Sequence, residues 1–480
     1  MRFIGNAPVD GEVRAIASGA LATGDTVVVN SDGTVSVVEE TNFTQAVGIF
    51  EAFESDRISR TTTAYDVNSQ KIVVAYTDVN NSGHGTAVVG TVSGTSISFG
   101  TPVVFESGNT VRLSSTYDAS AGKVVVIYNE SNDGFAIVGT VSGTSISFGT
   151  RVLFDTTDPI NLSSTYDTNA QKIVICYEDG GNTDKGTAIV GTVSGTSISF
   201  GSPVIYNNAD TTVQSIAYDA SAQKVVIGYH DNGNSSYGTA IVGTVSGTSI
   251  SFGSPVVFNS AATNSINIAY DASAQKVVIA YYTGTGTEGL AIVGTVSGTS
   301  ISFGTAVAFN TGGVANYNSI VYHAAAQKVV IAYSDLGNSN YGTAIAGTVS
   351  GTSISFGSKL VVESGRVNFV SAAYDPDEEV VVISYENVGN SEYGTSVVFR
   401  PAYSTTNLTS ENFVGFANSG YADGQSAALN STCSVDKNQS GLTAGETYYV
   451  QADGTLGTTP ADPSVVAGTA ISSNSIIVKG

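Results

Sequence analysis

Tyr237, Tyr341 and Tyr393 each stand one residue before a Gly that opens an apolar run, in three separate copies of one repeated unit. The same position in the other copies holds His84, Asp133, Lys185 and Glu288. A second variable position lies two residues after the Tyr that ends the preceding apolar run. It carries Asp78, Glu130, Asp179, Asp231, Thr283, Asp335 and Asn387. Tyrosine offers a flat apolar face and a hydroxyl at small entropic cost, a combination that recognition surfaces use. Carboxylates suit a hard divalent cation, but an Asp that accepts backbone N–H bonds in a turn is the commoner use of that residue. The ligand-binding candidates are His84, Asp133, Asp179, Asp231, Tyr237, Tyr341 and Tyr393. No catalytic residue or metal ligand is assigned and no cofactor is expected. His84, His230 and His323 fall at different positions of the repeat, so no His cluster forms. Cys176 sits in an apolar run and Cys433 in a different segment, which gives no disulfide framework.

The repeat itself sets the fold class. GTVSGTSISFG occurs six times, ending at Gly100, Gly149, Gly201, Gly253, Gly304 and Gly357, about fifty residues apart, near the length of a propeller blade. A Tyr followed by a short turn and an apolar run occurs seven times, at Tyr65, Tyr117, Tyr166, Tyr218, Tyr270, Tyr322 and Tyr374. Each unit reads as four strands: a, ending at that Tyr; b, such as 123–128; c, such as 136–141; and d, from 144 to about 154. Ser-Gly between c and d is a two-residue hairpin signal. The a–b and c–d loops repeat almost unchanged, while the b–c and d–a loops vary, so one rim diversifies on a constant scaffold. The d element missing from the count is found at the start of the chain, where Val47-Gly48 aligns with Phe99-Gly100. The expectation is an all-β chain: a seven-bladed β-propeller with N-terminal strand closure, inserted in a small β-sandwich or barrel-like base. The base comprises residues 1–42 and 403–480, the propeller 43–402.

Three residues before each strand-a Tyr stand Thr62, Ser114, Ser163, Ser215, Asn267, Ser319 and Ser371. This polar ring suits the innermost strand and holds no carboxylate, His or Arg. A propeller glycosidase needs two carboxylates about one cleft. The Ser-x-Asp-x-Gly-x-Thr-Trp box of sialidase-like propellers is missing and the chain has no Trp. The expectation is therefore that the protein is not an enzyme; a depolymerase acting through rim acids such as Asp155, Asp158 and Asp210 ranks last.

A net charge of −22 opposes nucleic-acid binding, which rests on cationic groups. No apolar run approaches the roughly 18 residues of a membrane span. The start, Met1 to Gly5, lacks the apolar stretch of a secretory signal. Cytoplasmic synthesis without membrane insertion is expected.

The two ends of the chain are alike: LATGDTVVVNSDGTV, Leu21 to Val35, parallels LTAGETYYVQADGTL, Leu442 to Leu456. Both read as a strand and an Asp-Gly turn. The first pattern resembles tailed-phage head-decoration proteins and related fibre-base modules. The string QSGLTAGETYYVQADGT from Gln439, with AGTAIS from Ala467, is similar to modules of marine and cyanobacterial phage structural proteins. The resemblance covers about 120 residues. It implies a virion surface protein made in the host cytoplasm, either a capsid decoration or a fibre component, held as a homotrimer to other virion proteins through its base. The propeller would then offer weak, multivalent attachment to cell-surface polysaccharide or another receptor; a purely structural decoration role is the alternative.

Overall fold

In a computed structural model, residues 11–284, 286 and 288–479 are described. The residues Met1 to Gly5, read above for a leader, lie outside them. The described chain is all-β; its helical content is confined to one-turn 3-10 segments such as Asn232–Asn234. Among the described residues no helix is long and apolar enough to cross a membrane. Two compact units form: Thr44–Pro401, and the segments up to Phe43 and from Ala402 onward.

Within Thr44–Pro401 one repeat shows the design. Strand b, Lys123–Glu130, pairs antiparallel with the strand-a residues Thr110–Asp118 on one side and with strand c, Asp133–Ser142, on the other. Val124 to Tyr128 are inaccessible to solvent. A strand covered on both faces needs a continuous apolar run rather than an alternating one, which is why strand b is the most apolar stretch of every repeat. Ser142 pairs with Ser145, so the hairpin loop is Gly143-Thr144 and not the expected Ser-Gly. Gly143 takes φ +62°, the conformation a two-residue turn with Gly first requires. Past the turn, Ser145–Phe148 runs along strand c. Gly149 then interrupts the ladder, donating its N–H to the Val138 carbonyl at 2.9 Å, and Val152–Asp155 resumes the pairing.

The expected d–a loop is corrected. In most repeats the outer strand of one unit continues without a loop into strand a of the next, as in Val103–Asp118, Val204–Asp219 and Val256–Asp271. One long strand thus serves two neighbouring sheets, pairing with strand c of its own unit at one end and with strand b of the next at the other. Short breaks remain only at Thr156–Asp158 and Thr311–Val314.

The invariant residues turn out to be contacts between repeats. A Cβ on Gly100, Gly149, Gly201, Gly253 or Gly304 would collide with the backbone carbonyl of Thr144, Thr196, Thr248, Thr299 or Thr352, the turn Thr of the following unit. Gly and Thr are therefore the two halves of one close approach. At the a–b turns, the strand-a Tyr hydroxyl accepts the N–H of the preceding unit's turn: Asn68 N to Tyr117 at 3.3 Å, Ser120 N to Tyr166 at 3.1 Å and Ser221 N to Tyr270 at 3.2 Å. The turn Asp fixes that loop, as Asp118 Oδ1 accepts from Ser120 N and Ala121 N at 2.9 Å. Where the Asp is absent, His323 Nδ1 accepts the equivalent Ala326 N–H at 3.0 Å. Burial, which outweighs the opposing pull of Glu379, pushes this imidazole down to about 4, so it accepts as the neutral ring.

The N-terminal segment joins the same scheme. Val47 pairs with Phe399, and Glu51, Ala52 and Glu54 pair with Ser396, Thr395 and Gly394. Gly48 meets the Thr95 carbonyl as its counterparts meet theirs.

The other unit has two five-stranded sheets. In one, Glu12–Ile16 pairs with Ser426–Asn430 and Thr26–Val29 with Phe413–Ala417, so both chain ends share a ladder. The second holds Thr447–Val450, Val465–Ala470 and Ile476–Val478. Val28 and Val38 share a core with Leu442, Tyr448 and Val450. No closed barrel is present among the described residues, which corrects the barrel-like alternative for this unit.

Candidate functional site

The sequence-derived candidates fall at the b–c hairpins. His84 pairs with Asp78, Asp133 with Glu130, Tyr237 with Asp231, Tyr341 with Asp335 and Tyr393 with Asn387. Asp231 is buried and serves its own turn: Oδ1 accepts from Gly233 N and Asn207 Nδ2, both at 3.1 Å. Asp179 accepts from Thr157 Oγ1 at 2.8 Å. The two carboxylates are thus already engaged in holding the rim. Tyr237, Tyr341 and Tyr393 are half-buried in three separate repeats. Arg366 is the cross-strand neighbour of Tyr341 and Arg57 that of Tyr393. Among the described residues no ring contact joins the three tyrosines, and no group of three or more His, Cys, Asp or Glu side chains is placed to hold a metal ion.

A different site emerges where the strand-a segments converge. Here the inner ladder carries hydrogen bonds from unit to unit. Ser114 Oγ meets Ser164 Oγ at 2.9 Å, Ser163 Oγ accepts Ile216 N at 3.3 Å, and Ser215 Oγ accepts Ile268 N at 3.2 Å. Asn267 Nδ2 donates to the Asn318 carbonyl at 2.7 Å, and Ser319 Oγ accepts Ala372 N at 3.1 Å. The series returns to its start through Thr63 N to Ser371 Oγ at 2.9 Å and Thr62 Oγ1 to Ser115 Oγ at 2.8 Å. The polar positions seen in the sequence are thus structural ties.

Two residues before them, each strand-a ladder shifts register. Arg60, Arg112, Asn161, Val213, Ser265, Tyr317 and Phe369 occupy these shifts, all with φ between 47° and 56°. Left-handed backbone costs a non-glycine residue about 1 kcal/mol or more, and a β-branched residue such as Val213 is a true outlier. Other recurring left-handed residues, such as Gln223 and Ser235, lie in chain reversals; these seven lie inside strands. Glycine would relieve the strain, and none of the seven is Gly. Strain is kept at one position of every repeat, under side chains that differ, which makes these seven residues the candidate site.

The seven residues line one cavity of about 270 Å³, with Thr61, Gln214, Asn267 and Asn318 among its other walls. Going round the ring, Tyr317 packs on Phe369 at 5.2 Å between ring centres, and the Arg60 guanidinium lies over Phe369 at 4.7 Å. Loss of solvation and the neighbouring Arg112 lower the Arg60 pKa. Arg112 is held by Asp158 at 3.3 Å. The amides are fixed across units: Asn318 Nδ2 donates to the Ser265 carbonyl at 2.6 Å and Gln214 Nε2 to that of Ile160 at 3.2 Å. Gln214 Oε1 is buried and has no hydrogen-bond partner among the described residues. Behind the wall, Asn161 Nδ2 donates to Glu178 at 2.8 Å, and burial raises that carboxyl to about 7. The cavity therefore offers an aromatic face, fixed amides and two guanidiniums, groups that bind a small polar molecule with an apolar side.

Sequence reasoning reached the Ser ring and stopped two residues short of this one. The available signal was the column five residues before each strand-a Tyr, where the repeats hold six residue types in seven copies.

No family model and no curated protein matches the sequence. Solved structures do. The BP39L lectin from Burkholderia pseudomallei superposes with a TM-score of 0.51 at 11% identity, over 73% of this chain and 98% of that one. A mutant of the NanB sialidase from Streptococcus pneumoniae gives 0.46 at 10% identity over 74% and 70%. A mutant of AofleA from Arthrobotrys oligospora gives 0.42 at 10% over 69% and 94%. The likeness to the lectin is one of fold, of the propeller type. The expectation that this chain is not an enzyme is corrected here: a sialidase stands among the structures it resembles, and the exclusion does not hold. At this identity and TM-score the likeness carries no activity over to this chain.

Proposed function

We propose that this chain is a saccharide-binding protein that presents a seven-bladed β-propeller from a phage particle. The observation that carries the reading is the axial ring: one strained, non-glycine residue from every repeat, facing a common cavity with aromatic, amide and guanidinium walls. Aromatic faces cover the C–H surface of a sugar while fixed amides take its hydroxyls, and the buried, unpartnered Gln214 Oε1 suits a hydroxyl donor. The blade count is supported by the pairing of residues 46–54 with the strand from Tyr393 and by the hydrogen bond from Thr63 back to Ser371. The particle location, a trimeric base and contacts of that base with other virion proteins rest on the resemblance of the chain ends to phage modules. In this reading the rim residues His84, Asp133, Tyr237, Tyr341 and Tyr393 serve as secondary contacts, while Asp179 and Asp231 hold the rim, and many copies on one particle multiply a weak individual affinity.

The test is a panel of immobilised oligosaccharides, neutral and acidic, probed with the purified chain. Binding to at least one class is expected, lowered at least tenfold by Gln214→Ala with Tyr317→Ala and only a few-fold by Ala at Tyr237, Tyr341 and Tyr393 together. Loss through the three rim tyrosines with the cavity variant unaffected would move the site to the rim. Binding to none of the panel would leave a structural role alone.

A further inference from the structure

We infer that the axial cavity selects an oxyanion-bearing sugar, a uronic acid or a sulfated residue, over a neutral one; the inference rests on the saccharide reading above and names its ligand class. The chain carries 40 acidic against 18 basic residues, yet two of its cations occupy adjacent positions of the ring. Arg112 has a carboxylate partner in Asp158 at 3.3 Å. Arg60 has no ion pair among the described residues; it is held instead by the face of Phe369. The carboxylates nearest in the ladder, Glu178 and Glu386, are buried and held by the amides of Asn161 and Asn368 at 2.8 and 2.7 Å, not by either arginine. Asp158 is the one carboxylate in an ion pair here; Glu386 acts on Arg60 and Glu178 on Arg112 only through space, and burial raises both of those acids, so positive charge remains on the cavity wall of an otherwise acidic protein.

A guanidinium is a planar fork that matches a carboxylate or sulfate edge. Stacking on Phe369 fixes the plane of that fork before a ligand arrives, so little side-chain entropy is lost on binding. The order round the ring is Tyr317, Phe369, Arg60, Arg112. A sugar lying against Tyr317 and the edge of Phe369 therefore places an acidic substituent at the arginines.

The experiment is calorimetric titration of the whole chain with three probes: trigalacturonate, a sulfated galactotriose and neutral galactotriose, each at low and high salt. Both acidic probes are expected to bind at least tenfold more tightly than the neutral one, and to weaken as salt rises. Replacing Arg60 and Arg112 together by Gln should remove that preference, bringing the acidic probes to the affinity of the neutral one, and Arg60→Lys should retain part of it. The balance between the two acidic probes tells carboxylate from sulfate, and either preference supports the inference. Equal affinity for neutral and acidic probes, or an acid preference that survives the double substitution, overturns charge selection while the saccharide reading stands. Binding of no probe overturns both. If the double variant fails to fold, the salt dependence of the unaltered chain decides: its absence overturns the inference.

Discussion

Gly201→Ala should cost about 3 kcal/mol of stability, while Gly357→Ala should be close to neutral. The two glycines close the same eleven-residue string and donate to the same kind of carbonyl, Val190 at 2.9 Å and Ala346 at 3.0 Å. Their surroundings differ. A methyl on Gly201 runs into the Thr248 carbonyl of the next repeat, which is backbone and cannot swing aside. Relief requires two packed sheets to move apart, and close-packed interiors resist that. Beside Gly357 the next repeat has no Gly-Thr turn, because its strand c ends at Arg400 before Pro401, and the nearest atom to a built Cβ is the Ala346 carbonyl at 3.8 Å. Chemical denaturation of the two variants measures the difference. Equal destabilisation would mean that the glycine serves its own strand and not the contact between neighbours.

Phe53→Ala should cost about 3 kcal/mol or more, and Phe50→Ala, three residues earlier, far less. Phe53 is 5% exposed and Phe50 55%. Phe53 packs on Tyr76 and Phe99 at 5.1 and 5.6 Å, and shares a core with Val380, Val382 and Val398 from the last repeat. Phe105, Phe154, Tyr206, Phe258 and Phe309 fill the same place in other units and meet the b-strand tyrosines Tyr128, Tyr177, Tyr229, Tyr281 and Tyr333 in the same way. A residue from the start of the chain thus fills a core shared by the first repeat, with Ile72, Val74, Tyr76 and Val88, and the last, with Val380, Val382 and Val398. A large loss for Phe53 with little for Phe50 supports closure of the repeat array by the N-terminal strand; the same small effect for both contradicts it.

These two experiments also show which features the sequence displays and which it conceals. The Gly-Thr contact recurs in every unit that can make it, so repetition advertised it. Gly48 was recognisable because it repeats the environment of Gly100, although it lies about 350 residues from the strand it completes in space: it sits beside Val398. The strand-a Tyr and turn Asp were equally visible, since each is one end of a hydrogen bond that every interface needs. The axial ring was not. A register shift inside a strand leaves no Gly, Pro or Asn-Gly signal when the left-handed residue is Arg, Val or Phe, and alternation alone places such residues on an ordinary strand face. The d–a loops were over-read for a related reason: residues such as Asn208-Ala-Asp-Thr-Thr212 look like a loop by composition, yet they form the middle of the sixteen-residue strand Val204–Asp219. Asp231 was singled out as a rim ligand because it is acidic and variable, and its hydrogen bonds assign it to the turn.

The most direct test of the saccharide reading is an experimental structure of the chain with a bound oligosaccharide taken from the panel. Sugar density against Tyr317 and Phe369, with a hydroxyl at Gln214 Oε1, is the predicted result. Sugar seated at the b–c rim beside Tyr237, Tyr341 or Tyr393, with the axial cavity free of it, would contradict the account.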